Sequence, residues 1–208
     1  MQQWQKLNAI VINTDSFNDP RAKQVDWQPI KPGGSNFKTN SLVKVSAMRY
    51  KYTLSIQGKI FIGLFLTVGI LTSIGGALLV TTNTAMWGLL AFGILFTSVS
   101  IFMFKYMGNP ILFDYSVGCV WKGNKLPELS GDRKTSANFV YFSEIYAFQI
   151  IKERVHSKNN HYYSYELNLV LKDNTRFNLI DHGNIQQIRE DVQELSAFLG
   201  KPIWDATI

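Results

Sequence analysis

The three histidines are the first candidates in this sequence for catalysis or metal binding. His156 and His161 flank a very polar stretch, residues 157–160, which predicts a solvated loop rather than a metal site. His182 lies in a polar turn, residues 181–184, that precedes a predicted helix. Backbone N–H groups at a helix N-terminus can receive an anion. Turn formation and helix capping are the alternative role for His182, and we favour them.

The sequence contains no recognisable catalytic motif. No serine has a base and an orienting acid at a familiar spacing, no glycine-rich loop follows a strand, and no histidine pair lies at i, i+4 on a helix. The single Cys119 excludes an intramolecular disulfide and a multi-cysteine metal site. Its neighbours Val120 and Trp121 predict a buried core position. We therefore predict a protein that is not an enzyme and holds no cofactor or metal.

Two long apolar runs, residues 60–80 and 86–104, dominate the middle of the chain. Neither contains an ionisable residue, and only residues 81–85 separate them. Each run is long enough, as a helix, to cross a hydrocarbon core of about 30 Å. The pattern predicts a transmembrane helical hairpin at residues 59–107. With no ionisable group in either span, a transporter or a channel is disfavoured.

The charge distribution predicts the orientation of this hairpin. Before residue 60 there are nine basic and three acidic residues, a net charge of +6, whereas residues 108–208 carry eleven basic and twelve acidic residues. Positive charge beside a span favours the cytoplasmic side. We expect a multi-pass membrane protein with both termini in the cytoplasm. The near-neutral C-terminal part lacks a basic stripe, which argues against nucleic acid as a partner.

Basic residues beside the first span also allow an anionic-lipid contact, each contributing on the order of 1 kcal/mol. Orientation alone explains such residues, and we favour that explanation. The residues that this alternative would use for an anion or lipid contact are Lys44, Arg49, Lys51, Lys59, His182 and Asn184.

Small residues recur every four positions within the hairpin. Gly69, Ser73 and Ala77 show this spacing in the first run, and Gly93 and Thr97 show it in the second. Small residues let helix backbones approach closely in a membrane. We predict that these faces pack the hairpin on itself, with a homo-oligomer interface as the alternative.

The flanking segments differ in pattern. Residues 1–41 are polar and lack periodicity, which predicts a mobile or peripherally docked arm. Within residues 42–58, a period of two over residues 48–56 predicts a strand that runs toward the membrane, and Gly58 allows the change from strand to helix. Pro110 ends the second apolar run.

Residues 108–208 predict a small β-rich domain that is closed by a helix. Alternating residues at 163–171 and 177–179, joined by a turn at 173–174, indicate a hairpin. An apolar stripe over residues 185–199 predicts an amphipathic helix with Asn184 as N-cap and Gln187 completing a capping box. The remaining predicted strands lie at residues 111–115, 118–122, 139–142 and 146–150, and a polar loop is expected at residues 156–161.

The order of short antiparallel strands and one C-terminal helix is similar to that of pleckstrin-homology-like domains. Over roughly residues 33–205 the chain resembles bacterial inner-membrane proteins in which two transmembrane helices precede a cytoplasmic domain of this kind. The resemblance implies an α+β fold in which an antiparallel barrel or sheet is closed by the helix, and it implies no catalytic residues. Residues 48–56 would supply the seventh strand. The segments that carry the resemblance are residues 143–147 (SEIYA), 165–171 (YELNLVL), 181–184 (DHGN) and 198–205 (FLGKPIWD).

These observations lead to three functional hypotheses. The first is a membrane-anchored, non-catalytic adaptor or assembly factor that binds an unknown membrane or cytoplasmic protein through the C-terminal domain. The second is an anionic-lipid recognition module at the inner leaflet. The third is an immunity-type membrane protein that neutralises a toxin.

Overall fold

A computed structural model describes residues 12–127, 135–136, 138–157 and 160–207. The chain has an α+β fold with two apolar helices, two sheets and a C-terminal helix. It divides into two compact units. Met1–Tyr52 and Ile111–Ile208 form the β unit, and Thr53–Pro110 form the helical unit.

The helical unit is a hairpin of α1 (Ile56–Leu79) and α2 (Met86–Met107). The hydroxyl of Ser55 accepts a hydrogen bond from the Gly58 N–H at 3.0 Å and so caps α1. The change from strand to helix, predicted at Gly58, therefore occurs at Ser55, and Gly58 lies in the first helical turn. The helix α2 ends before Pro110, as predicted.

Glycines bring the two helices into close contact. A Cβ on Gly69 would lie 2.6 Å from the Thr97 backbone N, and one on Gly76 would lie 2.5 Å from the Leu90 backbone N. Both distances are shorter than a Cβ atom tolerates, so larger residues would force the helices apart. The prediction that the hairpin packs on itself is confirmed, and a homo-oligomer interface stays a prediction.

Length and composition make both helices candidates for crossing a membrane. They contain 24 and 22 residues, with mean hydropathies of 2.1 and 2.0, and only 17% and 11% of their most apolar windows are buried. A core helix of a soluble protein would be mostly covered. These helices instead expose most of their apolar surface.

The first sheet of the β unit joins residues from both sides of the helical hairpin. Its strand order is β1-β2-β3-β4-β6-β5. The predicted strand at residues 48–56 is β2, and it pairs antiparallel with β3, with Tyr52 opposite Ile111. The strand β1 was not predicted. The strands are β1 (Asn40–Ser46), β2 (Arg49–Leu54), β3 (Ile111–Asp114), β4 (Cys119–Lys122), β5 (Thr135–Ser136) and β6 (Phe139–Tyr141).

The second sheet has the order β10-β7-β8-β9. The predicted loop at residues 156–161 is corrected at both ends, since β7 runs to Ser157 and β8 begins at Asn160, with His156 opposite His161. Residues 158 and 159 lie outside the described residues. The unpredicted β10 pairs in parallel with β7. The strands are β7 (Ile145–Ser157), β8 (Asn160–Leu171), β9 (Arg176–His182) and β10 (Ile203–Asp205).

The C-terminal helix α3 (Ile185–Leu199) packs its apolar stripe into the core of the β unit. Ile188, Val192 and Leu195 are fully buried in one cluster with residues of both sheets. The Asn184 side chain caps the helix by accepting from the Gln187 N–H, as predicted. The reciprocal half of the capping box is replaced, because the Asn184 N–H donates to His182. Gly200 ends the helix at a φ of 64°.

The N-terminal arm packs against the second sheet from residue 12 onward. Phe17 and Trp27 stack with ring centroids 5.1 Å apart, and Trp27 lies 6.1 Å from Trp204. Ala22 and Val25 are buried in the same cluster. Of the two alternatives predicted for residues 1–41, a mobile arm and a peripherally docked arm, the described part is docked. Residues 1–11 lie outside the described residues.

Candidate functional site

Three carboxylates on neighbouring strands of the second sheet hold the arm. Glu166 accepts hydrogen bonds from the backbone N–H groups of Ile30 (2.9 Å) and Lys31 (2.8 Å). Glu153 accepts from the Gly33 N–H at 2.9 Å, and Asp181 accepts from the Ser35 N–H at 3.3 Å. We call Glu153, Glu166 and Asp181 the carboxylate face. A charged acceptor makes each of these bonds stronger than a neutral one.

A second group of polar side chains continues this contact toward β7 and β9. The buried Asn168 donates to Glu166 at 2.6 Å, and Gln149 donates to the Asp26 carbonyl at 3.1 Å. Arg176 forms an ion pair of 2.7 Å with Asp26. Buried polar groups require such partners, since leaving one unpaired costs about 1–3 kcal/mol. The carboxylate face is therefore filled by the chain itself and presents a docking contact rather than a reactive centre.

A different polar cluster lies beneath the start of α3. Asp191 accepts from Gln187 at 2.9 Å, and Gln187 accepts from Lys38 at 2.8 Å. His182 uses Nδ1 to accept from Asn184, which places its proton on Nε2. Among the described residues this Nε2 has no hydrogen-bond partner.

The environment shifts the protonation of this cluster. Burial and the positive charge of Lys38 lower the pKa of His182 to about 4, so the imidazole is neutral at pH 7. Burial raises the pKa of Asp191 to about 6. Burial, followed by the Asp191 carboxylate, raises the pKa of Tyr52. Shifted pKa values occur at active sites, but Tyr52 and His182 have no exposed surface through which a substrate would reach them.

Of the residues predicted to contact an anion or lipid, Lys44, Arg49 and Lys51 lie on the neighbouring strands β1 and β2. Lys44 is exposed on β1, Lys51 is half-buried on β2, and Lys59 is exposed in α1. Arg49 pairs with Asp114. His182 is fully buried in the core, which leaves no side-chain surface for a lipid to contact. Asn184 uses its side-chain oxygen to cap α3.

The ion pair between Arg49 and Asp114 neutralises one of the predicted basic contacts. Asp114 is almost fully buried and also accepts from Ser116. Burial alone would raise the pKa of Asp114, but the hydrogen bonds from Ser116 and Arg49 outweigh burial and lower it. Both partners are therefore charged at neutral pH, and Arg49 contributes to the sheet rather than to a free basic surface.

The remaining candidates for chemistry offer little reactivity. Cys119 is buried, and burial followed by the charge of Asp114 raises the pKa of its thiol to about 11, which opposes thiolate formation. His156 and His161 are exposed and face each other across the β7–β8 hairpin. Within the described ranges, no group of three or more His, Cys, Asp or Glu residues is placed to hold a metal ion.

Sequence reasoning missed both the carboxylate face and the buried Asp191. Glu166 and Asn168 occupy the polar positions of an alternating strand, a pattern that is typical of side chains facing water. The arm covers that side of the sheet. The burial of Asp191 had a weak sequence signal, because Asp191 lies next to the buried Val192 on the inward side of α3.

Comparison with known proteins adds no assignment to these features. The chain matches no protein-family model, no curated protein and no solved structure.

Proposed function

We propose that this chain is a membrane-anchored, non-catalytic adaptor or assembly factor that binds a protein partner through its cytoplasmic β unit. The observation that carries the proposal is the position of the helical hairpin between two paired strands. The chain leaves the first sheet after β2 and returns to it at β3, with Tyr52 opposite Ile111. A membrane hairpin inserted at this point would keep the whole β unit on one side of the bilayer.

The composition of the hairpin supports the membrane assignment and the orientation. Neither apolar run carries a charge, and neither does the connector at residues 81–85. Lys51 and Lys59 precede or begin α1, where positive residues favour the cytoplasmic side. A bacterial inner membrane with both termini in the cytoplasm fits this pattern.

The strand order supports the likeness to pleckstrin-homology-like domains. Four strands (β2, β3, β4 and β6) lie in the first sheet, three (β7, β8 and β9) follow in the second, and α3 comes after them. This gives seven strands and a closing helix, which is the arrangement that the resemblance implies. The strands β1, β5 and β10 are additions to it.

Two features favour a binding role over catalysis. Burial lowers the pKa of His182 to about 4 and raises that of Asp191 to about 6, and both side chains are enclosed in the core. The carboxylate face is occupied by the arm. What the β unit offers to other molecules is therefore its exposed strands and loops.

The lipid-recognition alternative has lost part of its support. Arg49 is paired with Asp114, His182 is buried, and Asn184 caps α3. Lys44, Lys51 and Lys59 remain for an anionic surface. No described feature favours the immunity-type alternative over the adaptor.

Cross-linking in intact cells tests the adaptor proposal. A tagged full-length chain is cross-linked, purified in mild detergent and analysed by mass spectrometry, beside an unrelated two-helix membrane protein at equal abundance. We expect one protein or a small set of proteins to be enriched reproducibly, with cross-links to lysines of the β unit such as Lys44 and Lys172. Cross-links that match those of the unrelated protein would contradict the proposal.

A further inference from the structure

The C-terminal half of β1 is exposed on both of its faces. Residues 43–46 are all exposed, and Val43 and Val45 keep 44% and 53% of their surface accessible. In the neighbouring β2 every second residue is buried, as is usual for a strand with one covered face. Proteins rarely leave apolar side chains accessible on an uncovered edge strand, because such a strand tends to pair with another chain.

The strand β1 also forms the end of the first sheet. Its inner edge pairs with β2, and among the described residues no strand pairs with its outer edge. The outer edge therefore presents a row of backbone N–H and C=O groups that can accept a further strand. An extended peptide is the molecule that satisfies such a row, by adding itself to the sheet.

The charges around this edge define the kind of peptide. From residue 27 to residue 113 the sequence contains no Asp or Glu. Lys44 lies between the two exposed valines, and Lys51 lies on the adjacent strand. In the described part of the chain neither lysine forms an ion pair. The nearest acid on these strands, Asp114 of β3, is already engaged by Arg49.

We propose that the outer edge of β1 binds an extended segment of a partner protein in which apolar and acidic residues alternate, and that this segment adds a strand to the first sheet. Its apolar side chains lie beside Val43 and Val45, and its acidic side chains lie beside Lys44 on the other face. This inference rests on the proposed adaptor function and names the chemistry of the partner.

Charge opposes a second copy of the chain at this edge, and the unpaired backbone groups oppose a lipid surface. A second copy of the chain, paired antiparallel through β1, would place Lys44 close to its own counterpart, and like charges on neighbouring strands are destabilising. An anionic lipid surface would attract Lys44. It cannot provide the alternating donors and acceptors that the backbone edge requires.

A binding assay with synthetic peptides tests the proposal. The full-length protein in nanodiscs of neutral lipid is titrated into a fluorescent eight-residue peptide of alternating valine and glutamate, and the anisotropy is recorded. We expect saturable binding that weakens by about tenfold or more when alternate peptide nitrogens are methylated, because methylation removes backbone donors. Both alternate methylation patterns are measured, since only one set of donors faces β1.

Charge reversal provides the matched comparison. Lys44→Glu should weaken binding of the valine–glutamate peptide by about tenfold. The same variant should bind a valine–lysine peptide more tightly than the valine–glutamate peptide. Lys172→Glu makes the same charge change at an exposed turn of the β unit and should leave binding unchanged. Equal melting temperatures of the two variants show that folding is not the cause.

The inference would be overturned if the valine–glutamate peptide showed no saturable binding, or if the peptides with either methylation pattern bound as tightly as the unmethylated one. It would also be overturned if the unaltered protein bound the valine–lysine peptide as tightly as the valine–glutamate peptide. Displacement of the peptide by vesicles of phosphatidylglycerol would overturn it as well. The adaptor proposal fails separately, when cross-linking in cells enriches no protein. If a partner were cross-linked far from β1 and no peptide bound, the adaptor proposal would stand and the proposed binding site on β1 would be wrong.

Discussion

At the scale of single residues, burial decides which polar groups are available for function. His182 and Asp191 differ from exposed residues of the same type because their charged forms lose water in the core. Their effects on stability have opposite signs. The lowered pKa of His182 makes the folded state less stable as the pH falls from about 6.5 toward 4, because only the unfolded chain then takes up the proton.

Asp191→Asn should make the protein less sensitive to rising pH. The folded-state pKa of Asp191 is about 6, above its usual value, so the stability that this carboxyl gives at low pH is lost as the pH rises through 6. An asparagine keeps the oxygen that accepts from Gln187 and carries no charge. The stability of the variant relative to the unaltered protein should increase by up to about 3 kcal/mol between pH 4 and pH 7.

Thermal unfolding in detergent across this pH range measures the effect. The exposed Glu190→Gln, one position earlier on α3, serves as the control and should follow the unaltered protein. An Asp191→Asn curve that is parallel to the unaltered protein at every pH would show that this carboxyl titrates as it does in water.

At the scale of elements, close backbone approach and buried hydrogen bonds fix how segments pack. Gly75 and Gly76 illustrate this within α1. A Cβ at Gly76 would lie 2.5 Å from the Leu90 backbone N of α2, whereas a Cβ at Gly75 would have nothing within 4 Å.

Gly76→Ala should therefore destabilise the hairpin, by about 1–3 kcal/mol, because the added methyl pushes α1 and α2 apart. Gly75→Ala adds the same methyl group in open space and should be neutral or slightly stabilising. Melting temperatures of the two variants in the same detergent make the comparison. Equal effects of the two substitutions would contradict the packing described for the hairpin.

Glu166→Ala should release the arm from the second sheet. The carboxylate of Glu166 accepts hydrogen bonds from the backbone N–H groups of Ile30 and Lys31. Without it, these two donors can bond only to water. We expect faster hydrogen exchange at the amides of residues 30, 31 and 33–35, with the Glu190→Gln variant as control. Unchanged exchange at these amides would mean that the carboxylate face does not hold the arm.

At the scale of the whole molecule, the sequence predicted the parts whose signal is local. The apolar runs predicted α1 and α2, alternation predicted β2 and the β8–β9 hairpin, and a stripe of apolar residues predicted α3. The sequence did not predict β10, because three residues show no period and their partner β7 is distant in the chain. Docking of the arm depends on equally distant contacts with Glu166 and Arg176.

The candidate site was less predictable than the fold for the same reason. Lys51 lies on a strand, as predicted, but the ion pair of Arg49 and the burial of His182 result from tertiary contacts. Composition reports how many charges a segment carries. It does not report which of them are already paired.

We propose that the helical hairpin crosses a bacterial inner membrane and keeps the β unit in the cytoplasm. Cysteine labelling in intact cells tests it directly, in a Cys119→Ser background with one new cysteine, Asn83→Cys in the connector or Lys172→Cys in the β unit. With a membrane-impermeant maleimide, we predict that Asn83→Cys is labelled in intact cells and Lys172→Cys only after the inner membrane is opened. Labelling of Lys172→Cys in intact cells, or protection of Asn83→Cys until the membrane is opened, would contradict the account.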